Sequence, residues 1–356
     1  MHRILLITVL YSVLTVQALA NEPLKGFTYA SAPAPNGNEW ESPEQLSLNK
    51  EQPHAYFFSF SNLESARKVL PENSKYWKSL NGDWQFYWAP APEMRPKEFY
   101  QPEFDVSSWD LISVPSNWNV YGIQKNGSRK YGTPVYVNQS VIFVQHVEIG
   151  DWKNGVMRTP PTHWTTYKHR NEVGSYRREF DIPEDWKERE VFINFDGVDS
   201  FFYLWINGHY IGFSKNSRNT ASFNITPYLR KGKNVVAAEV YRNSDGSFLE
   251  AQDMFRLPGI FRTVSLHAVP KVHIRDLVVI PDLDKNFSDG SLTIKAEIRN
   301  LDKKLAKDYK VYYSLYANKL YSDENTLVDN LLSTVVKEVV PGESADVQTV
   351  FQVKAP

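Results

Sequence analysis

The stretch that decides the fold runs from Phe201 to Ser214 and reads FFYLWINGHYIGFS. Two runs of aromatic and branched side chains flank Asn207-Gly208, a preferred two-residue turn of β-hairpins because both residues readily adopt positive φ. Neighbouring segments such as YRREFDI (176–182) and VFINF (191–195) alternate in the same way between turn residues. Short alternating runs of this kind predict an all-β sandwich or barrel.

A second set of alternating runs begins after Val269-Pro270. It comprises HIRDLVVI (273–280), SLTIKAEIRN (291–300), KVYYSLYAN (310–318) and ADVQTVFQVK (345–354). Normal strand and turn spacing leaves room for about five strands, fewer than the roughly seven of a complete immunoglobulin-like sandwich. With 356 residues, the chain is long enough for two domains and a tail.

The N-terminus predicts export. His2 and Arg3 precede an apolar run from Ile4 to Val16, and Ala18-Leu19-Ala20 offers a cleavage site. The run is shorter than the roughly 20 residues needed to span a bilayer, so we expect a signal peptide over residues 1–20 and no membrane partner. The chain has no cysteine, which fits a protein of the bacterial periplasm that needs no disulfides.

Composition excludes some partners. Forty basic and forty-one acidic residues give a net charge of −1, so no electrostatic surface for nucleic acid is expected. Aromatic residues make up 14% of the chain, which suits both sandwich cores and surfaces that stack on sugars. The eight histidines lack the spacing of a zinc site.

The most conspicuous acids are Glu250 and Asp253 in SDGSFLEAQDMFRLPGIFR (244–262). Two carboxyl groups that act together as a catalytic acid and nucleophile need to lie about 5–5.5 Å apart. On an extended strand, residues three positions apart point to opposite faces and lie roughly 10 Å apart. The flanking SDGS and RLPGI are poor helix formers, so we predict that these acids are not a catalytic pair.

Four ordered blocks resemble the N-terminal sugar-binding jelly roll of the β-galactosidases of glycoside hydrolase family 2. They are LNGDWQFYWAPAPE (80–93), VPSNW (114–118), NFDGVDSFFYLWINGHYIGFSKNSR (194–218) and SDGSFLEAQDMFRLPGIFR. EWESPEQLSLNKEQPHA (39–55) is similar to the N-terminal arm of that group. The resemblance implies an extended arm over 21–74, a galactose-binding-like jelly-roll sandwich over 75–268 and an incomplete immunoglobulin-like β-sandwich over 269–356.

In that family a third domain, a TIM barrel, carries two glutamates that act as acid/base and nucleophile with retention. Neither these glutamates nor the ligands of the family's magnesium ion have counterparts in this sequence. The resemblance therefore implies that the chain carries no catalytic residue and that magnesium is expected only in a full-length enzyme. The resemblance implies that the chain is the N-terminal portion of an exported β-galactosidase. It would form one wall of the substrate site, be inactive alone, and form a homo-oligomer when full length.

The resemblance also implies site residues. Asp253 would accept hydrogen bonds from galactosyl hydroxyls and bind a sodium ion that the barrel completes, which suits a hard carboxylate oxygen. The alternative is that Asp253 pairs with Arg256 or Arg262 in a structural network. Asn138 and Thr159 are further expected substrate contacts, although Thr159-Pro160-Pro161 replaces the family's Asn-Pro-Pro within a longer segment, 141–173. Glu250 is expected to be structural, as an arginine partner or a backbone acceptor.

Three motifs allow both structural and ligand-binding interpretations. Asn117 and Trp118 fit a buried corner in which the asparagine caps a turn better than they fit a ligand contact. Asp196 and Asp199 fit carboxylate caps of a tight turn better than a calcium site, which needs six or more oxygens. The alternating aromatic stripe fits a sandwich core better than a sugar platform; it comprises Trp84, Phe86 and Trp88.

A function from another class is also consistent with the sequence. The chain could be a freestanding carbohydrate-binding module without hydrolase activity. A blander alternative is a truncated, non-functional product, which would fold poorly because its second sandwich would leave sheet edges unpaired.

Overall fold

The computed structural model describes residues 32, 34–137, 171–250, 253–318 and 325–355. The predicted signal peptide, and nearly all of segment 141–173, lie outside these residues. None of the helices in these residues combines the length and the apolar character needed to span a bilayer. The helices are α1 (Leu63–Arg67) and α2 (Trp118–Tyr121), together with short 3-10 turns.

The described residues form an all-β structure, as predicted. The strands of the first part are β1 (Ser47–Leu48), β2 (Trp77–Ser79), β3 (Gly82–Ala89), β4 (Asp110–Val114), β5 (Val135–Val137), β6 (Val173–Asp181), β7 (Glu190–Phe195), β8 (Val198–Asp199), β9 (Phe201–Ile206), β10 (His209–Lys215), β11 (Ala221–Asn224), β12 (Lys233–Tyr241), β13 (Met254–Arg256), β14 (Gly259–Ile260) and β15 (Val264–Val269). The second part contains β16 (Val272–Leu283), β17 (Asp289–Asn300), β18 (Ala306–Asn318), β19 (Asn325–Val339) and β20 (Ser344–Lys354).

The first sandwich packs a seven-stranded sheet, ordered β1-β10-β9-β12-β6-β3-β4, on a four-stranded sheet, ordered β11-β7-β15-β2. The predicted hairpin is confirmed: β9 pairs with β10 antiparallel, and the turn residues Asn207 and Gly208 have φ of 52° and 85°. Trp84 and Phe86 are fully buried between the sheets, and Trp88 packs against the same cluster. The aromatic stripe is therefore core.

Strand β9 is buried on both faces, which alternation alone does not predict. A second apolar cluster covers the outer face of the large sheet and includes Phe201, Tyr203 and Trp205. Part of its cover comes from the N-terminal arm: Trp40 stacks on Tyr241 with ring centroids 5.4 Å apart. The Tyr203 hydroxyl also donates a hydrogen bond to Glu39 Oε2 at 2.5 Å.

The arm is more structured than the expected extended segment. Its strand β1 adds to the edge of the large sheet, with Ser47 opposite Ser214, and α1 follows later in the arm. The apolar run HAYFFSF (54–60) forms no strand. The arm also contacts the second domain, because Arg299 Nη1 lies 2.7 Å from Glu51 Oε2 and the Ala55 N–H donates to Asp276 Oδ1 at 2.8 Å.

The second domain contains five strands in the described residues, matching the number expected. Strands β16, β17 and β20 form an antiparallel sheet, and β18 pairs with β19. They share a small apolar core that includes Ala296, Ile298, Val336 and Val339. A cleft at the junction with the first sandwich is lined by His54, His267, His273 and Arg299, among others.

We predict that the protein becomes less stable at acidic pH, because burial lowers the pKa of two histidines in this cleft. Burial, aided by the charge of His54, lowers the pKa of His267 to about 3, and burial together with the charge of Arg299 lowers the pKa of His273 to about 4. Above the unfolded pKa of about 6.5 both states are neutral, so their stabilising contribution is fully present. As the pH falls below that value, only the unfolded chain gains protons, and stability declines by up to about 1.4 kcal/mol per pH unit per histidine.

The measurement is urea unfolding of the chain at pH 7 and pH 5. We expect the double variant His267→Gln, His273→Gln to lose less stability between these pH values than the wild type. His209→Gln is the control, because His209 is exposed on β10 and should leave the pH dependence unchanged. An equal pH dependence of the wild type and the double variant would contradict the assignment.

Candidate substrate-facing site

The predicted site residue Asp253 lies at the end of a two-stranded ribbon outside the main sheets. Strand β5 pairs antiparallel with β13, so that Tyr136 lies opposite Phe255 and Val135 opposite Arg256. Because successive side chains of a strand alternate between faces, Asp253 lies on the same face as Phe255 and Tyr136. Tyr136 and Phe255 are 52% and 54% exposed, and Asp253 is exposed as well. This face of the ribbon is open to solvent.

Asp253 has one hydrogen-bond partner among the described residues. The Tyr136 hydroxyl donates to Asp253 Oδ1, and this bond is the main reason why the pKa of Tyr136 lies above its ordinary value. The rings of Tyr136 and Phe255 meet edge to face, with centroids 5.5 Å apart. The structure thus gives Asp253 a tyrosine partner, whereas the structural alternative had proposed Arg256 or Arg262.

The Glu250 carboxylate binds Ser217, which lies outside the ribbon. This carboxylate accepts hydrogen bonds from the Ser217 N–H at 2.7 Å and from Ser217 Oγ at 2.5 Å. The backbone carbonyl of Glu250 accepts a hydrogen bond from Arg256 Nη1. Glu250 is therefore a backbone acceptor, as predicted, and it shares none of these contacts with Asp253.

Behind the ribbon lies a cluster of charged groups. Arg218 Nη2 lies 3.4 Å from Asp199 Oδ2 and 3.9 Å from the sulfur of Met254 on β13. Burial raises the pKa of Asp199 to about 7, an effect that the positive charge of Arg218 partly offsets. The guanidinium groups of Arg218 and Arg262 also lie over the Phe261 ring, at 4.8 and 5.3 Å from its centroid. These contacts tie the inner face of the ribbon to the sandwich.

The prediction that Asp196 and Asp199 cap a tight turn in FDGVDS is wrong. Asp199 pairs with Arg218, and Asp196 Oδ1 accepts a hydrogen bond from Thr220 Oγ1 at 3.2 Å. Both carboxylates thus bind side chains from other segments, which compete with the backbone N–H groups of their own turn. Within the described ranges, no group of three or more His, Asp or Glu side chains could hold a metal ion.

The VPSNW corner is buried at Val114 and Trp118, in part as predicted, whereas Pro115 is exposed and the asparagine does not cap the helix. Trp118 is fully buried at the start of α2, whereas the Asn117 side chain makes no capping hydrogen bond. Asn117 Nδ2 instead donates to the Leu257 carbonyl at 2.5 Å. The corner therefore anchors the segment that follows β13.

A buried ion pair fixes the segment that leads into β5. Arg242 Nη1 lies 2.7 Å from Glu172 Oε1, and each side chain is 1% exposed. Arg242 Nη2 also donates to the Thr133 carbonyl at 2.9 Å. A Cβ at Gly132 would lie 2.6 Å from the Glu172 carboxylate oxygens, so glycine is required for this approach. Glu172 immediately precedes β6 and Arg242 immediately follows β12, and nothing in the local sequence distinguishes them from the other charged residues nearby.

The other two predicted substrate contacts, Asn138 and Thr159, lie outside the described residues. Of the three predicted site residues, the structure therefore describes Asp253 alone. The sequence did not predict the aromatic pair Tyr136 and Phe255 beside Asp253. It also did not predict the buried Glu172–Arg242 pair, because each arrangement depends on contacts between distant segments.

The fold and the ribbon define an all-β protein whose first sandwich presents an exposed carboxylate beside an aromatic pair. Residues 77–270 match the family model described as "Glycosyl hydrolases family 2, sugar binding domain". The chain belongs to this family.

Curated relatives agree with the family. A β-galactosidase of Priestia megaterium is 41% identical over 293 residues, which cover 82% of this chain and 26% of that protein. The β-galactosidase large subunit of Leuconostoc lactis is 34% identical over 275 residues, covering 73% of this chain and 40% of that subunit. The chain thus spans 26% and 40% of the lengths of these two relatives.

Solved structures support the fold. A β-glucuronidase of Bacteroides uniformis aligns with a TM-score of 0.56 at 20% identity, covering 79% of this chain and 28% of that one. A likeness at this identity shows the architecture alone.

Proposed function

We propose that this chain is the N-terminal portion of an exported β-galactosidase that hydrolyses terminal β-galactosides with retention. The chain would form one wall of the substrate site and contribute no catalytic glutamate. The observation that carries the proposal is the exposed carboxylate of Asp253, held by Tyr136 on a ribbon that lies within the stretch matching the sugar-binding domain. The curated relatives named above are β-galactosidases, which favours galactosides over glucuronides.

The role proposed for Asp253 follows from its chemistry. An ionised carboxylate has about four acceptor sites, and Tyr136 uses one of them. The remaining sites can accept hydrogen bonds from sugar hydroxyls or provide a hard oxygen for a sodium ion. The described residues supply only this one carboxylate at the ribbon, so a sodium site would need ligands from elsewhere in the longer protein. Magnesium likewise belongs to the longer protein in this proposal.

The remaining parts of the proposal rest on the sequence. Asn138 and Thr159 would contact the substrate beside Asp253, residues 1–20 would direct export to the periplasm, and the longer protein would form a homo-oligomer. The domain boundaries proposed from the sequence, at 75 and 269, fall close to the first and last residues of the family match, 77–270.

The test is expression of the longer reading frame that contains this chain. We expect it to hydrolyse a chromogenic β-galactoside, to leave the matching β-glucuronide and β-mannoside uncleaved, and to release the β-anomer first, as read by NMR. A longer protein that cleaves the glucuronide in preference to the galactoside would contradict the proposal.

A freestanding carbohydrate-binding module remains the second candidate, favoured by the exposed pair Tyr136 and Phe255. Exposed aromatic faces suit stacking on sugar rings. Under this candidate the reading frame would stop near Pro356, and the chain would bind a polysaccharide with micromolar affinity by calorimetry. Under the first candidate the chain alone would bind galactosides weakly, because most of the site lies elsewhere.

A further inference from the structure

We propose that Tyr136 is a positioning residue for Asp253: its hydroxyl holds one carboxylate oxygen so that the other is presented to the galactoside. The inference rests on the proposed function and goes beyond it, because it assigns a role to a side chain that itself need not touch the sugar.

The register of the ribbon brings the Tyr136 hydroxyl within reach of Asp253. Tyr136 lies directly opposite Phe255, so Asp253, two positions before Phe255, is its diagonal neighbour on the same face. Diagonal neighbours in an antiparallel pair lie roughly 7–8 Å apart, a separation that a tyrosine can bridge and a shorter side chain cannot. The hydroxyl donates to Asp253 Oδ1, a contact that this geometry allows.

Contacts on both strands support the placement of the Tyr136 ring. On the β5 side, buried Arg242 donates to the Thr133 carbonyl, shortly before the strand begins. On the β13 side, Arg256 donates to the Glu250 carbonyl, and the Tyr136 ring packs edge to face on Phe255. These contacts hold the two strands and one side of the Tyr136 ring, whereas an aspartate at the edge of a ribbon would otherwise sample several rotamers.

Holding the carboxylate before the ligand arrives lowers the entropy lost on binding. A hydrogen bond to an ionised acceptor is also among the stronger ones, so it can select a single rotamer. Positioning Asp253 should strengthen binding of the ground state and the transition state alike, because the same carboxylate contacts the sugar in both. Loss of the hydroxyl should therefore raise KM more than it lowers kcat.

The test is Tyr136→Phe in the longer protein. We expect KM for a chromogenic galactoside to rise about 10-fold, with kcat within about threefold of wild type, in keeping with loss of one charge-assisted hydrogen bond. In an Asp253→Asn background the same change should have less than a twofold effect, because the positioned charge is gone. Tyr312→Phe is the matched control, since Tyr312 is also an exposed tyrosine and lies on β18 in the second domain. Unchanged KM in Tyr136→Phe, or an equal effect in both backgrounds, would overturn the inference.

A second readout separates this inference from the proposed function. In the 356-residue chain labelled with ¹³Cζ-tyrosine, the resonance lost in Tyr136→Phe identifies Tyr136. Its pKa is expected above the ordinary value and should fall towards it in Asp253→Asn. If the longer protein fails to cleave galactosides while this fall is observed, the proposed function is wrong and the contact stands. If the pKa does not change in Asp253→Asn, the positioning role is wrong whatever the enzyme cleaves.

Discussion

Replacing Arg242 with methionine is expected to lower the free energy of unfolding by about 3–5 kcal/mol, which for a single domain is a large fraction of the total. The reason is that Arg242 forms a buried ion pair with Glu172. Arg242 and Glu172 are each 1% exposed, so the substitution leaves the Glu172 carboxylate buried without its 2.7 Å partner. The Thr133 carbonyl also loses its donor. The measurement is urea unfolding at pH 7, followed by tryptophan fluorescence.

Lys233→Met provides the matched control. Lys233 Nζ lies 2.8 Å from Glu179 Oε2, but these side chains are 74% and 59% exposed, so the change should alter stability by less than about 1 kcal/mol. The double variant Glu172→Gln, Arg242→Met should be more stable than Arg242→Met alone, because it leaves no unpaired buried charge. If Arg242→Met were no more harmful than Lys233→Met, the buried pair would not anchor the ribbon as described.

Replacing Asp253 with alanine in the longer protein is expected to lower kcat/KM for a β-galactoside by about 100-fold or more. Each hydrogen bond from a sugar hydroxyl to a charged acceptor contributes roughly 1.5–3 kcal/mol, and Asp253 offers sites for more than one such bond. Because the carboxylate is exposed, its removal should leave the free energy of unfolding nearly unchanged. Steady-state kinetics and urea unfolding of the same preparation measure both quantities.

Glu250→Gln is the comparison that separates a binding carboxylate from a catalytic pair. The Glu250 carboxylate accepts two hydrogen bonds, both from Ser217, so glutamine should preserve most of its contacts and activity should stay within a few-fold of wild type. Equal losses of several hundred-fold in Glu250→Gln and Asp253→Ala would indicate that the two acids act together in catalysis.

The elements predicted from the sequence are those set by local patterns. Asn207-Gly208 defines the hairpin because both turn residues adopt positive φ, and the alternation in β3 places Trp84 and Phe86 in the core. The burial of β9 on both faces could not be predicted, since its second cover includes Trp40 from the arm. The contact between Glu39 and Tyr203 joins residues 164 positions apart.

In the candidate site too, local sequence features could be predicted and long-range contacts could not. Asp253 was identified through a sequence block, and Glu250 through the poor geometry of acids three residues apart. The role of Tyr136 could not be predicted, because its hydrogen bond to Asp253 depends on the pairing of β5 with β13, across a separation of 117 residues. The caps expected at Asp196 and Asp199 failed because Thr220 and Arg218, brought near by folding, bind these carboxylates instead.

We infer that this polypeptide shapes a sugar site without breaking the glycosidic bond. The direct measurement is release of nitrophenol from a chromogenic β-galactoside by the purified 356-residue chain, with a folded state verified by circular dichroism. The predicted result is no release above that in buffer, at substrate concentrations that saturate the longer protein. Turnover that copurifies with the chain and disappears in Glu250→Gln would contradict it.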